Sequence, residues 1–362
     1  MSNLKLIVVL SIFTLFSLSY AQDIGNLPSE TLITSTNLDQ LQPIAEIEHD
    51  WPLDLMWSPD GAYLAVNTLT EVLVHQIDEL EAVPRSFPAI AVSPWDGIGS
   101  VMFSPDSTVL ATVNPPDGDL YLWSLTDGEH SIVDIQTQDY KGVAAISPDL
   151  FIWATAHIGG SIRMWDAQTG DQIAILEGHT RVGALAFSPD GRKLISAGGS
   201  GASSHDIRDT TLRVWDTTTK SLLATFELNG VLNVFLDPAQ KIAFSPDGST
   251  AAFTISNLNE GDSAIGFLDL RQMIYTTISV EDRYVKGVSL NRDGGLLAVG
   301  SRSDSPRYEL LLIDSGGRAI LAAFPFDHLV VSTAFSPDGT LLAVAREIEF
   351  LERGQIQLWA VS

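Results

Sequence analysis

"FSPDG" stands at 187–191, and the same five letters return at 244–248 and 335–339. Looser copies are "WSPDG" at 57–61 and "FSPD" at 103–106, and Ser147 opens a further "SPD". Residue by residue the phrase suits a tight turn. Ser hydrogen-bonds nearby backbone, Pro presets the second position, Asp tolerates the third, and Gly takes a positive φ at the fourth. The apolar residue ahead of it ends a buried strand. Such a phrase is either a site used many times or a joint that the fold needs at intervals.

The spacing favours the joint. Motif serines fall at 58, 104, 147, 188, 245 and 336, with Asn291 in that place in "LNRDGG". Successive intervals are 46, 43, 41, 57, 46 and 45 residues. Seven units of this length mark a repeat architecture. In unit four, "VGALAF" precedes the motif, "KLISAG" follows it, and "TLRVWD" and "SLLATFEL" come after a variable gap. These runs are short, rich in β-branched and aromatic residues, and bounded by Gly, Pro, Asp or Asn, so they read as four strands per unit. Many are apolar on consecutive residues, as in sheets covered on both faces. Radially packed blades supply that cover. The expected fold is therefore all-β: a seven-bladed β-propeller of four-stranded antiparallel blades. The chain ends in a third strand, "GQIQLWAVS", without a fourth. The segment "QPIAEIEHD" at 42–50 supplies it, an N-terminal strand closing the last blade and removing its exposed edge.

The units resemble the WD-repeat β-propeller family, whose unit runs Gly-His, an apolar strand, Ser-Pro-Asp-Gly, two further strands and a closing Trp-Asp. Unit four matches nearly throughout, with Gly178-His179, "AFSPDG", Ser196, Asp209 and Trp215-Asp216. Unit three closes on Trp165-Asp166, and others end in "YLWS", "QLWA", "FLDL" or "LLID". The resemblance runs from Pro43 to the end. It implies a hydrogen-bonded chain of His179, Ser196, Asp209 and Trp215 in unit four. Counted from the motif, the hydroxyl position holds Thr112 and Thr155 in units two and three, but Val66, Phe253, Val299 and Val344 in units one, five, six and seven.

At 362 residues with a net charge of -25, the chain repels nucleic acid and anionic membrane surfaces, so neither is an expected partner. It has no cysteine, which excludes disulfides, thiolate catalysis and Cys-ligated zinc. The start, "MSNLKLIVVLSIFTLFSLSYAQD", has one basic residue, an uncharged apolar run and small residues before Gln22. It reads as a secretory signal peptide over 1–21, cleaved after Ala21, its apolar run being short for a span. The protein is then exported, to a periplasmic, extracellular or cell-envelope location, and does not insert in a membrane after cleavage. Residues 22–41 read as a polar N-terminal tether or short cover, and 42–362 as a single propeller domain.

Motifs for catalysis are absent: no Gly-x-Ser-x-Gly elbow, phosphate loop or dinucleotide fingerprint occurs. The seven histidines show no His-x-x-x-His spacing, and His49 and His179 read as structural. "SSHDIRD" at 203–209 sets Ser, His and Asp side by side, but neighbours in a loop do not converge as a triad does. "DGD" at 117–119 and "NLNEGD" at 257–262 lack the full oxygen set of a calcium loop. No metal or other cofactor is expected.

Unit lengths vary in one place. Units four, five and seven carry extra residues, "GGSGASSHDIRD", "SNLNEGDSA" and "REIEFLERGQ", between second and third strands. In a propeller these connections share a face with those leading into the first strands, which carry Trp51, Trp95, Tyr140, Lys141, Arg181, Tyr284, Lys286 and His328. Aromatic and cationic side chains on loops of a rigid scaffold are anchors for a partner. The leading reading is a monomeric scaffold that binds a protein or peptide through this face. The alternatives are a propeller enzyme of hydrolase or lactonase type, with an axial and metal-assisted site, and a sensor within a cell-envelope complex.

Overall fold

The computed structural model describes residues 31–68, 70–88, 100–114, 118–135, 139–199, 209–228, 242–256, 263–280, 283–303, 307–349 and 353–361. Those residues form seven separate four-stranded antiparallel sheets, the blades of a β-propeller. Blade four shows the plan, with strands Val182–Phe187, Lys193–Gly198, Thr211–Asp216 and Leu222–Glu227 paired in chain order. Its second strand is buried along nearly its whole length, whereas its fourth alternates between exposed and half-buried residues. Inner strands are covered on both faces by neighbouring blades and so are continuously apolar; the outermost strand is covered on one face only.

The repeated phrase makes the same joint in every blade. In six blades the motif serine is buried and donates its hydroxyl to the Asp two residues on, at 2.6–2.7 Å. The same oxygen accepts the backbone N–H five residues on, at 2.9 Å, which starts the second strand. The Asp carboxylate in turn accepts the N–H two residues beyond it. Thus the Asp is a hydrogen-bond hub and not merely a residue the turn tolerates. The fourth position has positive φ in all seven blades: Gly in five, and Ser107 and Leu150 in the others.

Closure comes from the first strand, Leu41–Asp50, which pairs with the last, Arg353–Val361, to complete blade seven. The residues before it also lie on the propeller. Ile33 and Leu38 are buried in the cluster formed by Leu296, Leu342, Phe335 and Trp359, and Ile33 N donates to Gly339 O at 2.9 Å. Asn291, which replaces the motif serine in blade six, explains itself here. Its Oδ1 accepts Leu296 N as a serine would, and its Nδ2 donates to Ile33 O, a bond directed across to the N-terminal segment. Residues 1–30, where a signal peptide and the first part of a polar tether are expected, lie outside the described residues.

Candidate functional site

Two ends of the ring differ in chemistry. At one end the Ser-Pro-Asp turns are stapled to the turns between third and fourth strands, as in Thr217 N to Arg192 O and Ala167 N to Phe151 O. The closing Asp of the third strand caps that second turn: Asp216 accepts Thr218 N and Thr219 N, and Asp166 accepts Gln168 N and Thr169 N. Repeated carboxylates at this end are committed to backbone N–H groups. Those bonds hold Asp247, whose neighbours are Ser249 N, Ser249 Oγ and Ser245 Oγ, down to about 2.

At the other end, connections leading into first strands meet those between second and third strands. Gly199 N donates to Arg181 O, Ile158 N to Asp139 O, Leu53 N to Asn67 O and Glu347 N to Leu329 O. Trp51, Arg181, Tyr284, Lys286 and His328 all belong to this end and are half-buried. Tyr140 does not line the surface. It is buried at the start of its strand, with its ring edge-on to His157 and packed against Gly118. Lys141 is placed in the strand Tyr140–Ile146, and Trp95 lies outside the described residues. The enlarged connections are described in part. In blade seven the extra residues mostly lengthen two strands, Leu342–Glu349 and Arg353–Val361, instead of forming a loop. Residues 200–208, 257–262 and 350–352, with His205 of "SSHDIRD", are outside the described residues.

Beneath this end lie buried polar chains. In blade four Trp215 Nε1 donates to Ser196 Oγ at 2.7 Å, Ser196 lies 2.8 Å from His179 Nε2, and His179 Nδ1 lies 3.0 Å from Asp209. Burial pushes the Asp209 carboxyl up, but bonds from His179, Thr211 and two backbone N–H groups outweigh it and hold it well below the usual carboxylate range. The order Ser–His–Asp is that of a hydrolytic triad. Ser196 is fully buried, however, and its Oγ already faces both Trp215 and His179. A substrate carbonyl has no approach to it.

Blade three holds a second chain that the sequence reading missed. Trp165 Nε1 donates to Thr155 Oγ1 at 2.7 Å, Thr155 meets His157 Nε2 at 2.8 Å, and His157 Nδ1 lies 3.0 Å from Asp139. Arg163 also donates to Asp139 at 2.9 Å. Here the histidine comes from the second strand and the carboxylate from the connection before the first, whereas in blade four the histidine precedes the first strand and the carboxylate precedes the third. The signal was "TAH" at 155–157, with hydroxyl and imidazole two residues apart on one strand face.

Further polar contacts gather at the closure. Trp359 Nε1 donates to Gln357 Oε1, Gln357 and Gln355 donate to Glu46, and Arg346 Nε donates to Gln355. His49 of the closing strand meets His75 of blade one, Nε2 to Nε2 at 2.6 Å. His75 sits where blades two, three, four and seven have tryptophan. Burial lowers both imidazoles, His49 to about 3 with a further push from His75, and His75 to about 4. Among the described residues no group of three His, Asp or Glu side chains is placed to hold a metal. No helix among them is long and apolar enough to cross a membrane. Asp119, of the acidic "DGD", instead accepts Ile135 N at 3.0 Å.

The family model described as WD domain, G-beta repeat matches residues 170–216, the span of unit four's first three strands and its polar chain. An uncharacterized WD repeat-containing protein of Synechocystis sp. is 26% identical over 172 residues, covering 45% of this chain and 43% of that protein. The WD repeat and SOCS box-containing protein 1 of Xenopus tropicalis is 28% identical over 53% of this chain and 44% of its own length. WD repeat-containing protein 1 of Rattus norvegicus is 28% identical over 31% of this chain and 16% of its own. The chain spans less than half the length of each of these relatives.

Proposed function

We propose that this chain, a WD-repeat β-propeller of seven blades, is an exported, monomeric scaffold that binds a protein or peptide through the end opposite its Ser-Pro-Asp turns. WD-repeat propellers typically serve as protein-interaction scaffolds. The observation that carries the reading is the contrast between the two ends. One repeats the same self-satisfied turn, while the other sets Trp51, Arg181, Tyr284, Lys286 and His328 half-exposed above rigid, buried strands. A half-exposed aromatic on a stiff support gives up little entropy when a partner covers its remaining surface.

The test replaces Trp51 and Tyr284 with alanine together. Capture of the partner from the native secreted fraction falls by at least about tenfold, as loss of two aromatic anchors implies. Melting temperature stays within a few degrees of the parent, because neither side chain belongs to the buried core. Undiminished capture sinks the docking face. Export rests on the N-terminal sequence, and N-terminal sequencing of the secreted protein is expected to start at Gln22; a first residue of Met1 or Ser2 contradicts it.

A further inference from the structure

The seam between blades six and seven brings four polar side chains, Lys286, Arg302, His328 and Glu347, to one place. The two blades approach closely because blade six has glycine where a side chain would collide. A Cβ on Gly287 would stand 2.7 Å from Ser332 Cα, and one on Gly300 would stand 2.4 Å from Val330 O. Blade six presents Lys286 from its first strand, opposite Gly300, and Arg302 from its second, opposite Tyr284. Blade seven presents His328 just before its first strand and Glu347 on its second, where Glu347 N is tied to Leu329 O. Lys286 Nζ lies over the Tyr284 ring, 5.9 Å from its centre. Arg302 is exposed and the other four are half-buried.

We propose that this seam is a carboxylate-recognising subsite, which takes an acidic group of the partner peptide between Lys286, Arg302 and His328. The inference rests on the docking role of this end and adds the chemistry of what docks. Lys286, Arg302 and His328 are grouped around Glu347, a local gathering of nitrogen donors within a chain of net charge -25. Lys286, His328 and Arg302 all draw the Glu347 carboxyl down, but burial outweighs them and leaves it raised. An exposed guanidinium beside an ammonium and an imidazole suits a carboxylate, which its planar fork can bind through two N–H groups. The acid could come from a side chain or from a chain terminus, and both offer the same chemistry.

The probes are three fluorescein-labelled peptides: Gly-Ser-Gly-Ser-Glu-Glu as free acid, its C-terminal amide, and the Gln-Gln version as free acid. Fluorescence anisotropy at low salt is expected to show the Glu-Glu free acid binding the wild-type protein. Binding weakens by about tenfold in Arg302→Gln and in Lys286→Gln, the loss expected for one charge-assisted contact. It is unchanged in Arg271→Gln, a cation exposed on the opposite end. Retained binding of the amide supports a side-chain source, and retained binding of the Gln-Gln acid supports a terminal carboxylate. Absence of binding, or equal binding in Arg302→Gln, overturns the subsite. If partner capture is lost in Trp51→Ala/Tyr284→Ala yet full in Arg302→Gln, the docking face stands and the carboxylate subsite falls. Capture that survives both sets removes the docking face itself.

Discussion

Blades four and five are neighbours that solve one packing problem in opposite ways. The position eight residues after the motif serine is Ser196 in blade four and Phe253 in blade five. Ser196 is the middle of a polar chain from Trp215 to Asp209. Phe253 is fully buried, stacked on Tyr275 at 6.0 Å, and its ring occupies the space that Gly266 leaves across the strand pair. Blade five has Leu268 in place of the tryptophan. The fold therefore does not require the polar chain. It requires that the second and third strands fill the space between blades, by either chemistry. A polar chain fixes one geometry but leaves its members exposed to large penalties if any is lost. An apolar ring is limited instead by volume.

Breaking each solution sharpens the difference. Ser196→Val leaves the Trp215 N–H and the His179 Nε2 without partners, and is expected to lower stability by about 3 kcal/mol, one or two unsatisfied buried groups' worth. Urea unfolding measures it, and a change below about 1 kcal/mol would mean the chain is incidental. Gly266→Ala sets a Cβ 2.4 Å from Phe253 Cε2; overpacking of that kind destabilises by about 2 kcal/mol. Adding Phe253→Leu is expected to recover most of that loss in the same assay, and no recovery would show the clash lies elsewhere.

Converting blade four to the chemistry of blade five is the more searching change. The triple variant His179→Leu/Ser196→Val/Trp215→Leu removes donors and acceptors together. It is expected to be more stable than Ser196→Val alone by about 1 kcal/mol, despite losing more native contacts. Greater instability of the triple variant would show that tryptophan packing, and not polar satisfaction, dominates the blade.

The smallest expected effect is in acid. Asp209 is held well below its ordinary pKa in the folded protein. Its contribution is therefore full above the unfolded-state value near about 4 and is lost as pH falls below it, because the unfolded chain binds the proton first. Asp209→Asn should flatten the stability curve below about pH 4 while losing stability at neutral pH. The His49–His75 pair also weakens the fold on acidification, between the ordinary histidine value of 6.5 and the folded values of about 3 and 4. That loss is common to both proteins, so the difference between their curves isolates Asp209. Parallel curves below about pH 4 would contradict the assignment.

Much of this architecture is written in local chemistry. The serine, aspartate and glycine of each turn act on backbone within five residues, so their spacing counts the blades directly. Closure is equally visible, since a third strand without a fourth demands a partner and 42–50 alternates as one. The turn end was legible for the same reason. The other end was not, because its groups converge across blades. Tyr140 reads as a surface aromatic in the sequence, but its ring packs inward against His157 and Gly118, contacts that lie outside its own strand. The His157–Asp139 pair was hidden because its histidine sits on the second strand, where blade four has none. Asn291 read as a mere variant of the motif, yet its second amide hydrogen bond depends on Ile33, 258 residues away. The meeting of Lys286, Arg302, His328 and Glu347 is likewise a product of the seam, and no spacing along the chain announces it.

The central claim is that the two ends of the ring divide the labour, with the Ser-Pro-Asp end holding the blades and the other end meeting the partner. Parallel capture of the partner on three forms of the immobilised protein tests it most directly: the parent, Trp51→Ala/Tyr284→Ala, and Arg192→Ala/Arg271→Ala on the turn end. The account predicts full recovery of the partner on the turn-end variant and loss on the aromatic variant, with all three melting within a few degrees of one another. Loss on the turn-end variant with recovery on the aromatic variant would contradict it.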